Sequence, residues 1–160
     1  MESILQNTMV ISQRTATLSD ASILLSWRNA QRVREFSLQS EPILLDQHLH
    51  WLSARLKRVR FEPLFLFSAE NEPIGMSRLD RLSDSINKYE ISILVDPSHR
   101  GKGIGRQILD MTCKSFFLLH PEKSLIARIN KDNFKSQNLF NSAGFKLQSS
   151  KGSYLIFEKL

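Results

Sequence analysis

Ile91-Ser92-Ile93-Leu94-Val95-Asp96-Pro97-Ser98-His99-Arg100-Gly101-Lys102-Gly103-Ile104-Gly105 is the stretch on which the reading of this chain turns. Together with Tyr89 and Glu90 its first half alternates: Tyr89, Ile91, Ile93 and Val95 on one side, Glu90, Ser92 and Leu94 on the other. That period of two predicts a strand over residues 89–95, ended by Asp96-Pro97. Beyond the turn, Ile104, Ile108, Leu109, Cys113, Phe116 and Phe117 recur at helical spacing until His120-Pro121 stops them, which predicts a helix over 103–119. Glycines at 101, 103 and 105 let the backbone approach a ligand closely just where the helix opens with N–H groups that have no partner inside it. Arg100, Lys102 and Arg106 add positive charge beside those amides, so the turn suits a ligand that carries phosphate, a pyrophosphate in particular. Neither the Gly-Lys-Ser/Thr ending of a Walker A loop nor the Gly-x-Gly-x-x-Gly dinucleotide spacing is present, which argues against a kinase or a dehydrogenase. A purely structural turn is the alternative that this segment alone leaves open.

Outward from the turn the pattern is mixed α/β. Val10 to Thr15 reads as a strand, and Ser19-Asp20 offers an N-cap for a helix carrying Ile23, Leu24 and Trp27. Leu45, Leu49, Leu52, Leu56 and Val59 mark an amphipathic helix over 46–58, with Arg55-Leu56-Lys57-Arg58 expected on its solvated face. Residues 64–67 and 74–79 flank Glu70-Asn71-Glu72-Pro73 and predict a hairpin. Leu125 to Ile129 forms a further strand, Asn133 caps a helix running to about Ala143, Gly144 closes it, and strands follow at 145–149 and 153–159. Residues 1–9 have no periodicity and are expected to be a loose tail, leaving 10–160 as one domain.

Composition agrees with a single globule. The chain has 160 residues, 41% hydrophobic and 24% charged, enough for one core without disulfide or metal staples. Cys113 is the one cysteine and has no internal partner, and no Cys/His group has zinc-like spacing, so no metal is expected. His48 and His50 are too isolated to be ligands. With no long apolar run and no basic leader, the expected location is the cytoplasm, away from membranes. A net charge of +6 suits either nucleic acid or a small polyphosphate ligand. The first lacks an interleaved aromatic and basic surface, so no nucleic-acid partner is expected.

Val95-Asp96-Pro97 with Arg100-x-x-Gly103-x-Gly105, followed by Asn133-x-x-Ser136-x-x-Leu139-Phe140 and Gly144-Phe145, resembles the GNAT acyltransferase superfamily over residues 10–160. The resemblance implies an α/β (α+β) fold: a mixed, mostly antiparallel sheet of about seven strands with about four helices, splayed between the strands ending near Val95 and Asn130. It implies acetyl-coenzyme A as cosubstrate. The main chain of Leu94 and Val95 would pair with pantetheine, and the segment Arg100, Gly101, Lys102, Gly103, Ile104, Gly105 and Arg106 would hold the pyrophosphate. Asn133 would border the thiol end, and Ser136 and Phe140 would be further coenzyme-binding residues.

Acetyl transfer to an amine needs a base, a donor to the developing oxyanion and an exit for the thiolate. Glu90 is the candidate base, a salt-bridged strand carboxylate being the alternative. The Leu94 or Val95 amide is the candidate donor. Phe140 stands where similar enzymes often carry a tyrosine acid, so water, Tyr154 or Ser136 would protonate the thiolate, or no acid is needed. Trp27-Arg28-Asn29, Val33-Arg34, Ser37, Ile43, His48 and Trp51 resemble a GNAT subgroup that acetylates a nucleotide-linked 4-amino sugar in pseudaminic acid biosynthesis. Arg28, Asn29, Arg34 and Glu90 are the acceptor-site candidates, since Arg and Asn suit phosphate or carboxylate. A ribosomal-protein N-terminus or a polyamine is the rival acceptor, and a noncatalytic acyl-coenzyme A module is the rival of another class. Trp27 and Trp51 are expected in the core, as is Cys113. The oligomeric state, homodimer included, is left open.

Overall fold

A computed structural model describes residues 9–160. The expected tail therefore lies outside the described residues apart from Met9, which packs beside Phe67 and Ile104. Seven strands, β1 (Ile11–Thr15), β2 (Leu64–Ala69), β3 (Glu72–Arg81), β4 (Lys88–Val95), β5 (Ser124–Asn130), β6 (Lys146–Lys151) and β7 (Tyr154–Lys159), form one sheet. Their order is β1-β2-β3-β4-β5-β7-β6. All neighbours are antiparallel except β4 and β5.

The helices are α1 (Ala21–Asn29), α2 (Gln31–Glu35), α3 (Leu45–Leu56), α4 (Ile104–Leu119) and α5 (Phe134–Ser142). One more than expected is present: α2, Gln-Arg-Val-Arg-Glu, is too short and too charged to show a helical period. On one face of the sheet, Leu24 and Trp27 of α1 and Leu52 of α3 bury Leu64, Leu66 and Met76. On the other, α4 and α5 bring Leu109, Cys113, Phe116 and Phe140 onto Tyr89, Ile91, Leu125, Ala127 and Phe157. Each fully buried Leu, Ile or Phe contributes about 1.5–3 kcal/mol, so covering both faces of β4 fixes the strand that leads to the turn. Trp27, Trp51 and Cys113 all join these clusters.

Two local expectations are corrected. Pro73, read as part of the hairpin turn, lies inside β3, where a register shift at Phe67/Ser68 pairs Ser68 with Pro73 and Phe67 with Gly75. A residue without an N–H is tolerated at such an irregularity. The turn itself is Glu70-Asn71, both left-handed at φ 50° and 67°, as a two-residue hairpin with right-handed strand twist requires. Arg55, expected on a solvated face, is 1% exposed. Its guanidinium donates to Asp80, to the Pro63 carbonyl and to the Leu79 carbonyl at 2.7 Å, because a charge is buried only when paired and hydrogen-bonded.

Candidate active site

The parallel pair β4/β5 runs only through Lys88↔Ser124, Tyr89↔Leu125 and Glu90↔Ile126. Beyond Glu90 the strands part, and alternation decides which groups that opening frees. Asp96 N–H donates to the Ile74 carbonyl at 2.8 Å on the β3 side, while the Asn87 carbonyl accepts from Ser124 on the β5 side. Residues of even number therefore turn their main chain to β3, and those of odd number turn it to β5. Leu94 belongs to the first set: it pairs with Met76, and its carbonyl lies against Gly75, where an added Cβ would come within 2.5 Å. Of the two expected oxyanion donors, Leu94 is thus excluded by its pairing with β3. The N–H and carbonyl groups of Ile93 and Val95 face the gap without a strand partner among the described residues.

The turn after Val95 is held open by Asp96. Its carboxylate accepts from Trp27 Nε1 at 2.6 Å and from Ser98 N at 2.9 Å, with Ser98 Oγ and His99 Nδ1 also in contact. Burial opposes the charge, but the hydrogen bonds from Ser98, Trp27 and His99 outweigh it and hold the carboxyl at about 2. Gly101 and Gly103 have φ of 77° and 75°, a left-handed conformation that other residues rarely adopt. A Cβ at either would meet no atom within 4 Å, so both line open space in front of α4. The N–H groups of Ile104, Gly105 and Arg106 open the helix without intrahelical partners. Arg106 departs from expectation in its side chain, which donates to Asp110 Oδ2 at 2.8 Å and to Ser142 Oγ at 3.2 Å. It ties the first turn of α4 to α5, leaving Arg100 and Lys102 as the side-chain cations of the turn.

On the β5 side of the gap, Asn133 N-caps α5 by accepting from Ser136 N at 3.2 Å. Phe140 is 4% exposed and packs edge-on to Phe145 at 5.0 Å; it is a core residue and offers no polar group to the cleft. Tyr154 starts β7 opposite Asn130.

Glu90 pairs with Arg128 Nη2 through Oε2 at 2.6 Å, so the salt-bridged alternative is present and Oε1 is the oxygen left to act. The acceptor candidates of the N-terminal half are largely taken up by the segment between α2 and α3. Asn29 both donates to the Ile43 carbonyl and accepts from its N–H, and Arg34 donates to the carbonyls of Asn29 and Ser40. Arg28 reaches Ser37 Oγ at 2.9 Å and the Gln39 carbonyl at 3.4 Å. These contacts satisfy carbonyls that have no ladder of their own. Asn29 and Arg34 thus make these hydrogen bonds within the chain itself. The sequence did not foretell that Asp96 would anchor the turn to Trp27, or that Arg55 and Arg78 would both contact Asp80. Asp96 was legible as an Asx cap before Pro97; the arginines carry no local signal.

Residues 13–146 match the acetyltransferase (GNAT) domain, and the chain belongs to that family, an acetyltransferase by class. An uncharacterized protein of Methanocaldococcus jannaschii is 30% identical over 135 residues, 83% of this chain and 27% of that protein. The chain thus spans about a quarter of the length of the curated relative it matches. A solved domain from Methanocaldococcus jannaschii superposes with a TM-score of 0.82 at 26% identity, covering 94% of this chain and 98% of that one. Ribosomal-protein-alanine N-acetyltransferase of Brucella melitensis gives 0.77 at 24% identity over 93% and 99%. Spermidine N-acetyltransferase of Vibrio cholerae, solved with CoA and spermine, gives 0.79 at 16% identity over 92% of each chain. The last two likenesses are of fold. Among the described residues no group of three or more His, Cys, Asp or Glu could hold a metal, and no helix is long and apolar enough to cross a membrane.

Proposed function

We propose that this domain moves the acetyl group of acetyl-coenzyme A onto a primary amine of a small, negatively charged acceptor, a nucleotide-linked amino sugar first among them, by direct attack in a ternary complex. The observation that carries the reading is the parting of β4 from β5 beside a left-handed glycine turn: unpaired main chain at Ile93 and Val95 leads straight to the open N–H groups of α4. The residues fit the coenzyme. The amides of Ile104, Gly105 and Arg106, with Arg100 and Lys102, take the pyrophosphate, and Ile93 and Val95 pair with pantetheine as a missing strand would. Asn133 and Ser136 border the thiol end.

Bound acetyl-coenzyme A supplies an activated thioester carbonyl. The Val95 N–H, fixed by the strand, donates to the oxygen on which charge develops. Glu90 Oε1 takes the amine proton, directly or through a water. A thiol with a pKa of about 8.5 leaves readily without an acid, so a phenyl ring at Phe140 is compatible with turnover. Cys113 is unsuited to carry an acyl group: burial pushes its thiol up to about 11. A polyamine would need an excess of carboxylate around the amine, and arginines predominate near Glu90.

Release of free coenzyme A is the test, measured over amino-sugar nucleotides, polyamines and peptides with a free N-terminus. Efficient turnover of an amino-sugar nucleotide is expected. Turnover of spermidine or a peptide alone would overturn the acceptor, and tight coenzyme binding with no acceptor turned over would leave the noncatalytic module.

A further inference from the structure

The indole of Trp27 has two parts with different surroundings. Its ring is buried in the cluster that holds Leu24, Leu52, Leu64 and Met76, an apolar environment that any aromatic ring could fill and that asks for no hydrogen bond. Its N–H points elsewhere: it reaches 69 residues along the chain and donates to Asp96 Oδ2 at 2.6 Å. Among the described residues no other hydrogen bond joins α1 to the segment from Asp96 to Gly103. The packing of α1 on Leu64, Leu66 and Met76 of β2 and β3 makes it a firm base for that bond.

The two oxygens of Asp96 face different partners. Oδ1 accepts from Ser98 N at 2.9 Å and contacts Ser98 Oγ and His99 Nδ1, all within the turn, while Oδ2 accepts from Trp27. The main chain of Asp96 is held as well: its N–H donates to the Ile74 carbonyl at 2.8 Å, and its carbonyl accepts from His99 N at 2.9 Å. Past this point the support stops. Arg100, Gly101 and Lys102 make no backbone hydrogen bond among the described residues, and Gly101 and Gly103 are left-handed over open space. Glycines leave such a segment many other conformations, so its shape is set from its two ends, Asp96 and the start of α4.

We infer that Trp27 is a positioning residue of the coenzyme site: its N–H holds Asp96 so that the glycine turn stands in the shape that receives the pyrophosphate. This rests on the reading of the turn as the coenzyme site and adds to it a residue of α1, outside the motif that carries the turn. An N–H donated to a carboxylate is a charge-assisted, directional bond. It fixes where the carboxylate lies and, through Oδ1, where Ser98 and His99 lie. A turn already in its bound shape gives up less freedom when the ligand arrives, and affinity rises accordingly.

The test is calorimetric titration of coenzyme A at a temperature well below every melting point. Trp27→Phe keeps an aromatic ring in the core and removes the donor, and its Kd should rise roughly tenfold. A smaller ring also leaves a void, so a second variant carries benzothienylalanine at position 27, in which sulfur takes the place of the indole N–H and the ring keeps its size. It should show the same loss of affinity with a smaller change in melting temperature. Trp51, which stacks on His48 and makes no hydrogen bond among the described residues, supplies the control: Trp51→Phe should keep its Kd within about twofold of wild type. Unchanged affinity in the benzothienylalanine protein would overturn the inference and leave the coenzyme reading standing. A loss as large in Trp51→Phe would do the same, by tracing the effect to core packing. Failure of the wild type to bind coenzyme A would remove both.

Discussion

Asp96 joins three parts of the molecule through one carboxylate: the indole of α1, the end of β4 and the turn before α4. Its carboxyl sits at about 2, below the ordinary 3.8. A depressed carboxyl contributes stability that is fully present above 3.8 and is lost as pH falls through about 2. Asp96→Asn should therefore cost roughly 1.5–3 kcal/mol near neutral pH, with the gap to wild type closing between about pH 4 and 2. Urea titration across pH reads this, and a gap independent of pH would show that the charge is not what holds the turn. Glu90 is tested by rate. Glu90→Gln keeps a partner for Arg128 but cannot take a proton, so kcat should fall about 100-fold with coenzyme affinity unchanged. A wild-type rate in that variant would make Glu90 a structural ion-pair residue and assign deprotonation to solvent.

At the scale of elements, the turn and α4 form one unit. Gly103 caps α4 at φ 75°, and open space lies where its side chain would be. A Cβ at Gly103 would meet no atom of the protein within 4 Å, so the fold of Gly103→Val should survive with a loss of about 1–2 kcal/mol for the left-handed backbone. The branched side chain would occupy the space before the helix amides, and coenzyme A affinity should drop sharply in calorimetry. Unchanged affinity in a folded variant would remove this turn from the site. Gly75 is constrained differently: a Cβ there would press on Leu94 O and Ile108 Cδ1, both at 2.5 Å, which is how α4 comes close to the end of β4.

For the whole molecule, Cys113 reports on the core that joins α4 to the sheet. It is 4% exposed, and burial raises its thiol to about 11, so it should react with a thiol reagent at pH 8 only through opening of the fold. If the coenzyme binds the native state, its presence at about 100 times its Kd adds about 2.7 kcal/mol and should slow labelling about 100-fold. Labelling that ignores the coenzyme would mean that α4 opens locally, apart from the site.

The order of the elements other than α2 was legible from residue 10 onward because strand and helix periods, Pro and Gly stops and the Asn133 cap are all local signals. The glycine turn was legible for the same reason: a left-handed backbone and an open helix start depend on a few consecutive residues. The strand that carries Glu90 was placed by alternation alone. Which face of β4 met α4, and which main-chain groups stayed unpaired, came only with the sheet, since hydrogen-bond parity depends on partners 22 and 36 residues away: Ile74 is paired with Asp96, and Leu125 with Tyr89. The same holds for charge. Arg28, Asn29 and Arg34 stand close together in sequence and suggested one ligand site, yet the irregular segment at 37–43 drew most of their hydrogen bonds. Arg78 and Arg55, distant in sequence from any motif, gained their meaning when β3 set them beside Asp80. Local chemistry names the elements and the turn; long-range pairing decides which polar groups are satisfied and which remain to bind.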